Sequence, residues 1–185
     1  MSFATVDELQ ARMGEPFADE AKAQIGQLLD DATAVIRAEI GQHVAPKHTA
    51  TFTDWPDAEG MIYLPQTPVR SVDAVEIDGV PVAFAWRDNY LRVNARGKVA
   101  VTFTYGFETV PSELSHWACV LAAGALKNLE LGVGLTPGGL SSVAIDDFRA
   151  AWADGGDKAG MTLPAHVAHR LREAYGGGTS VVTLR

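Results

Sequence analysis

The sequence predicts an α+β protein: a helical bundle body with an inserted small antiparallel β-sheet and a flexible C-terminal arm. Three observations carry this. Apolar residues recur at three- and four-residue steps in residues 1–45 and again in 111–175, as helices with one buried stripe require. Between them, in residues 50–107, the apolar pattern changes to period two, which marks half-buried strands. After the last helical stretch, Gly176-Gly177-Gly178 forms a hinge ahead of the arm 179–185, whose Thr, Val and Leu residues favour strand. No internal repeat and no long linker divides the chain, so residues 1–185 read as a single domain.

Thr5-Val6-Asp7-Glu8 reads as a capping box, in which the Thr hydroxyl and the Glu carboxylate each satisfy a free backbone donor. A short helix follows and ends near Gly14, with Pro16 reinforcing the break. Asp19 is expected to cap a longer helix running to about Ile40. Its stripe is Ala21, Ile25, Leu28, Leu29, Ala32, Val35, Ile36 and Ile40, on a helix roughly 33 Å long at about 1.5 Å per residue. Gly41 ends it in the left-handed conformation.

The β region opens at about Ala50. Met61 to Leu64 is a short strand closed by Pro65, and Val69 to Ile77 is a longer one. Asp78-Gly79 is a hairpin turn, because Gly tolerates positive φ. Val80, Val82, Phe84 and Trp86 then alternate, Asp88-Asn89 turns into Tyr90–Val93, and Arg96-Gly97 turns into Val99, Val101, Phe103 and Tyr105. The expectation is one antiparallel sheet with one buried face. Trp55, Trp86, Tyr90, Phe103 and Tyr105 are assigned to its core rather than to a base-stacking platform, since no basic groove surrounds them.

Ser112 is expected to cap a third helix, with Leu114, Trp117, Ala118, Leu121, Ala122, Ala125, Leu126 and Leu129 as its stripe and Gly132 as its end. Residues 133–160 read as loops with a possible strand at Ser142–Phe148 and a helical turn at Phe148–Ala153. Thr162 or Leu163 then starts a helix with Pro164 in its first turn. Its stripe is Leu163, Val167, Leu171 and Tyr175.

Composition narrows the function. The chain is 47% hydrophobic and 21% charged, ordinary for a globular domain. It lacks an apolar run of the length a membrane-spanning helix needs, and its first ten residues do not read as a signal peptide. The single cysteine, Cys119, leaves no partner for an internal disulfide and fits a reducing compartment such as a bacterial cytoplasm. A net charge of −8 argues against wrapping nucleic acid, which needs clustered Lys and Arg.

The candidates for chemistry are few. His116 and Cys119 lie three apart on one helix and admit a nucleophile–base pair or two metal ligands, but further ligands are lacking and Cys119 sits among apolar residues, so packing is the expected role. Asp146-Asp147 and Asp154-Gly-Gly-Asp157 lack the alternation of a Ca²⁺ loop. The glycines of 134–142 lack the strand, helix and Lys of a phosphate cradle. His43, His48, His166 and His169 form no ligand motif. The reading is therefore of no catalytic residue, no metal and no cofactor.

Two segments carry a family resemblance. The first is Met61-Ile62-Tyr63-Leu64-Pro65-Gln66-Thr67-Pro68-Val69-Arg70-Ser71-Val72, continuing to Val75-Glu76-Ile77-Asp78-Gly79. The second is Val99-Ala100-Val101-Thr102-Phe103-Thr104-Tyr105-Gly106-Phe107, followed by Val110-Pro111-Ser112-Glu113-Leu114 and a small-residue helix. After a helix ending Ile-Arg-Ala-Glu-Ile-Gly, this order resembles the head-to-tail adaptor (connector) proteins of long-tailed bacteriophages and prophages, over roughly residues 3–131. The stretch 133–160 has no counterpart signature.

The resemblance implies a structural virion protein, not an enzyme, at the head–tail junction, assembled in the host cytoplasm. Its subunits would form a ring, twelve-fold in the virion, below the portal protein. The ring would extend the channel through which encapsidated DNA passes without specific binding, and dock the next head-completion or tail protein. The arm would then reach the portal through Val181, Val182, Leu184 and Arg185 about the hinge Gly176, Gly177 and Gly178. The rival readings are a stopper or tail-completion protein, a small nucleic-acid-binding packaging factor, and a hydrolase of unfamiliar type.

Overall fold

Thr5 starts the first helix with the capping box its sequence predicts. In the computed structural model, which describes residues 1–94, 97–130, 142–145, 148–151 and 161–177, α1 spans Val6–Met13. The Glu8 N–H donates to the Thr5 hydroxyl at 3.1 Å, and the Thr5 N–H donates to the Glu8 carboxylate at 2.8 Å. Gly14 ends α1 at φ 77°. α2 follows at Asp19–Ile40. Asp19 is not its cap but its first residue, paired with Lys22 at 2.7 Å on the exposed surface. A carboxylate in the first turn suits the helix dipole as well as a capping one does, and the sequence alone does not separate the two. Gly41 closes α2 at φ 76°, and Ile25, Leu28, Leu29, Ala32, Ile36 and Ile40 are buried along one stripe.

Seven strands come next: β1 (His48–Asp54), β2 (Met61–Tyr63), β3 (Val69–Ile77), β4 (Val80–Pro81), β5 (Phe84–Arg87), β6 (Tyr90–Val93) and β7 (Val99–Tyr105). α3 (Ser112–Glu130), the hairpin β8 (Ser142–Ile145) and β9 (Phe148–Ala151), and α4 (Ala165–Tyr175) complete the described elements, with β9 a strand where the sequence suggested a helical turn. α4 begins later than the sequence reading, so Pro164 precedes the helix and its carbonyl accepts from the Val167 and Ala168 N–H groups.

Two compact units are present, Met1–Ala38 with Ser112–Ala168, and Glu39–Pro111 with His169–Arg185. In the first, Thr33 on α2 fixes the residues ahead of α1. Its hydroxyl accepts from the Phe3 N–H at 2.9 Å and donates to the Leu29 carbonyl at 2.8 Å. Arg37 stacks on the Phe3 ring at 5.0 Å and donates to the Met1 carbonyl at 3.1 Å. Thr33 is 1% exposed, so Thr33→Val keeps the shape but strands a buried N–H. Urea denaturation of this variant is expected to show a loss of about 1–3 kcal/mol.

The second unit departs from the expected single sheet. Its strands form a four-stranded sheet, β1-β7-β3-β4, and a three-stranded sheet, β2-β6-β5. Asp78 and Gly79, both at positive φ (50° and 77°), turn β3 into β4 as expected. The ladder then stops at Pro81, which lacks an N–H, and after the Val82 N–H bonds to Val75 at 2.9 Å the chain crosses to the other sheet. Apolar residues of both sheets make one core: Ile62, Leu64 and Leu91 with Val75, Val101 and Phe103 among others. The period-two run on either side of the crossing therefore belongs to two sheets. Val82 packs on the core, whereas Val80, Phe84 and Trp86 are exposed.

Candidate interaction surface

Sheet edges decide where this unit can add a partner, because an edge strand carries unpaired backbone groups. In the three-stranded sheet the Val93 N–H donates to the Gly60 carbonyl at 2.9 Å, on the β2 side. Bonding direction alternates along a strand, so Leu91 and Val93 face β2, while Tyr90 and Arg92 face β5. Their partners on β5 are Arg87 and Ala85. The backbone groups of Phe84 and Trp86 therefore point outward, away from β6.

The two edges of this sheet are treated differently. At β2 the Met61 carbonyl accepts from the Asp57 N–H at 2.9 Å, and the Met61 N–H donates to the Asp57 carboxylate at 2.8 Å. The turn at Asp57 thus covers the Met61 end of that edge. At β5, among the described residues, β6 is the only paired strand, and all four β5 residues are exposed. Phe84 and Trp86 are 39% and 38% exposed. The Trp86 indole N–H donates to the Asp88 carbonyl at 2.9 Å, which fixes its ring. A groove of about 960 Å³ adjoins the strand, lined by Asp57, Glu59, Phe84, Ala85, Arg92 and Asn94.

The other edges are less open to apolar contact. β4 is two residues long and ends in Pro81. Among the described residues β1 pairs with β7 only, but its apolar Ala50 and Phe52 already pack on the core. Its outer threonines are bonded across the sheet, Thr49 to Thr104 at 2.8 Å and Thr51 to Thr102 at 2.9 Å.

The start of the C-terminal segment is firmly held. Gln42, 6% exposed, accepts from the Thr67 N–H at 2.7 Å and donates to the Thr67 hydroxyl at 3.1 Å and to the Tyr175 carbonyl. Arg172 pairs with Glu39 at 3.3 Å. The Tyr175 ring meets Phe107 edge-on at 6.1 Å, and Arg70 lies over Phe107 at 5.1 Å while donating to the Gly106 carbonyl at 2.8 Å. Of the expected hinge, Gly176 donates its N–H to Arg172 at 2.8 Å. A Cβ on Gly177 would meet the Pro65 carbonyl oxygen at 2.8 Å. Gly178 and the arm residues Val181, Val182, Leu184 and Arg185 lie outside the described residues, as do Asp146, Asp147, Asp154 and Asp157.

His116 and Cys119 are not brought together as a pair, and Cys119 packs in the interior as expected. His116 is exposed and stacks edge-on against Trp117 at 5.5 Å. Cys119 is buried, with an Arg12 guanidinium N–H 3.5 Å from its sulfur and a second one 3.3 Å from the Ser115 hydroxyl. Burial pushes the thiol pKa up, which the Arg12 charge offsets only in part. A raised pKa means less thiolate at any pH. Alkylation of the native protein at pH 8 is therefore expected to be slow, and to become rapid in denaturant. His166 and His169 are on the surface, and His169 lies 3.3 Å from the Glu173 carboxylate. Among the described residues, no three His, Cys, Asp or Glu side chains converge on a metal position.

No protein-family model matches the chain, and no curated protein matches it. A solved structure does: a chain of the neck of an empty GTA particle, computed with C6 symmetry. The match has a TM-score of 0.54 at 21% identity, and covers 97% of this chain and 92% of that one. The two chains share a fold.

Sequence reasoning missed the open edge. It assigned Trp55 and Trp86 to the core, yet Trp55 is 65% exposed. The available signal was Pro81, which lacks the N–H a continuing ladder needs and so marks where β4 must stop. It also missed Gln42, whose position just past Gly41 carries no motif.

Proposed function

We propose that the protein is a structural, non-catalytic subunit of a phage-like virion, a head-to-tail connector that forms a ring below the portal. The observation that carries this is the fold shared, nearly end to end, with a chain of a GTA particle neck. The resemblance of residues 61–79 and 99–114 to connector sequences supports the same reading independently.

Other features agree with it. A connector works by contact, and the second unit offers an open strand edge flanked by exposed aromatics. A protein with net charge −8 lets encapsidated DNA pass without gripping its phosphates. The neighbouring neck was computed with C6 symmetry, and a twelve-fold ring contains a six-fold axis. Head-to-tail contacts between identical copies close into such rings. Among the described residues no helix is long and apolar enough to cross a membrane, in keeping with a place at the head–tail junction of the virion, reached from the host cytoplasm.

The partners in this reading are the portal, further copies of the chain, and the next head-completion or tail protein. Sedimentation velocity with the portal encoded beside this gene tests it. The portal boundary is expected to move faster in the presence of this protein, to a saturating stoichiometry. An unchanged portal boundary at saturating protein would overturn the connector role.

A further inference from the structure

We infer that the edge of β5, unpaired among the described residues, is an assembly site that receives the C-terminal arm of a second copy of this chain as an added strand; this rests on the ring reading above. The arm supplies alternate apolar residues, Val182 and Leu184, at the same two-residue spacing as Phe84 and Trp86. Strand addition uses both features at once, with backbone bonds for affinity and alternate side chains for specificity. The outward backbone groups of Phe84 and Trp86 provide the first. Their half-exposed rings provide the second.

The geometry favours another copy over the same one. Gly177 sits beside the Pro65 carbonyl, just past β2. β2 and β5 are opposite edges of their sheet. The eight residues 178–185 span about 26 Å when extended. Reaching its own β5 would use much of that length in rounding the sheet. On the near edge, β2, Asp57 already occupies the outward backbone groups of Met61. A neighbour in a ring brings its arm to β5 without the detour, and head-to-tail closure gives every subunit one donor and one acceptor.

Hydrogen exchange of the full chain, read at the Phe84 and Trp86 amides, tests this. As protein concentration is raised through assembly, both amides are expected to slow about tenfold or more. A Val182→Asp, Leu184→Asp variant should keep them fast at every concentration. A synthetic peptide of residues 178–185, added to that variant, should slow them again. Protection that does not depend on concentration would mean self-pairing and would overturn the inference. So would protection of β1 amides instead, or of neither strand once the arm engages the portal. Rings or portal layers with fast Phe84 and Trp86 amides would remove the arm assignment and leave the connector reading standing. Absence of rings and of portal binding would remove the connector reading, and the peptide would then decide the β5 site alone.

Discussion

Replacing Phe103 with alanine will lower stability by about 3–5 kcal/mol, the largest single-residue effect expected in this protein. Phe103 lies in the middle of β7 and is 1% exposed. β7 is the strand both neighbours depend on, pairing β1 on one side and β3 on the other. Its side chains alternate between buried and half-buried along its whole length. The Phe103 ring packs at 5.3 Å from Tyr105 within the core shared by the two sheets. Truncation removes the apolar contacts and leaves a cavity between sheets that cannot close fully. Urea denaturation measures the loss. Hydrogen exchange should place it in β1, β3 and β7, with β2 and β6 following because Ile62 and Leu91 share that core.

Gly60→Ala is expected to cost at least about 2 kcal/mol, from left-handed backbone strain and a lost hydrogen bond together. Gly60 has φ 80°, and a Cβ there would collide with the Val93 carbonyl oxygen. The same residue accepts the Val93 N–H through its own carbonyl. The chain must therefore move away from β6, and the Asp57 turn that covers Met61 on the β2 edge moves with it. This variant should expose a second strand edge and aggregate more readily than wild type. Gly26→Ala is the control: Gly26 lies in α2 with nothing within 4 Å of the added carbon. That substitution should stabilise by about 0.4–1 kcal/mol.

Local signals made most of the elements legible. Thr5 and Glu8 announced α1, and the three- and four-residue spacing of Ile25, Leu29, Ala32 and Ile36 announced α2. Asp78-Gly79 announced a hairpin whose two positive φ angles are as expected. What the sequence did not show was partnership at a distance. Period-two alternation says that a strand has a buried face, but not which sheet it joins. Val80 to Trp86 alternates without interruption, yet it leaves one sheet at Val82 and enters another at Phe84. Exposure at the edge is likewise set by what lies beside β5, and no residue of β5 itself encodes that. Thr33 and Gln42 were invisible for a related reason, since each acts through backbone groups more than twenty residues away.

Electron microscopy of negatively stained protein mixed with the portal from the same genome tests the central claim most directly. The connector reading predicts an additional layer of density on one end of the portal ring, with twelve-fold repeats under rotational averaging. Portal rings unchanged at saturating protein, with no rings formed by the protein itself at high concentration, would contradict it.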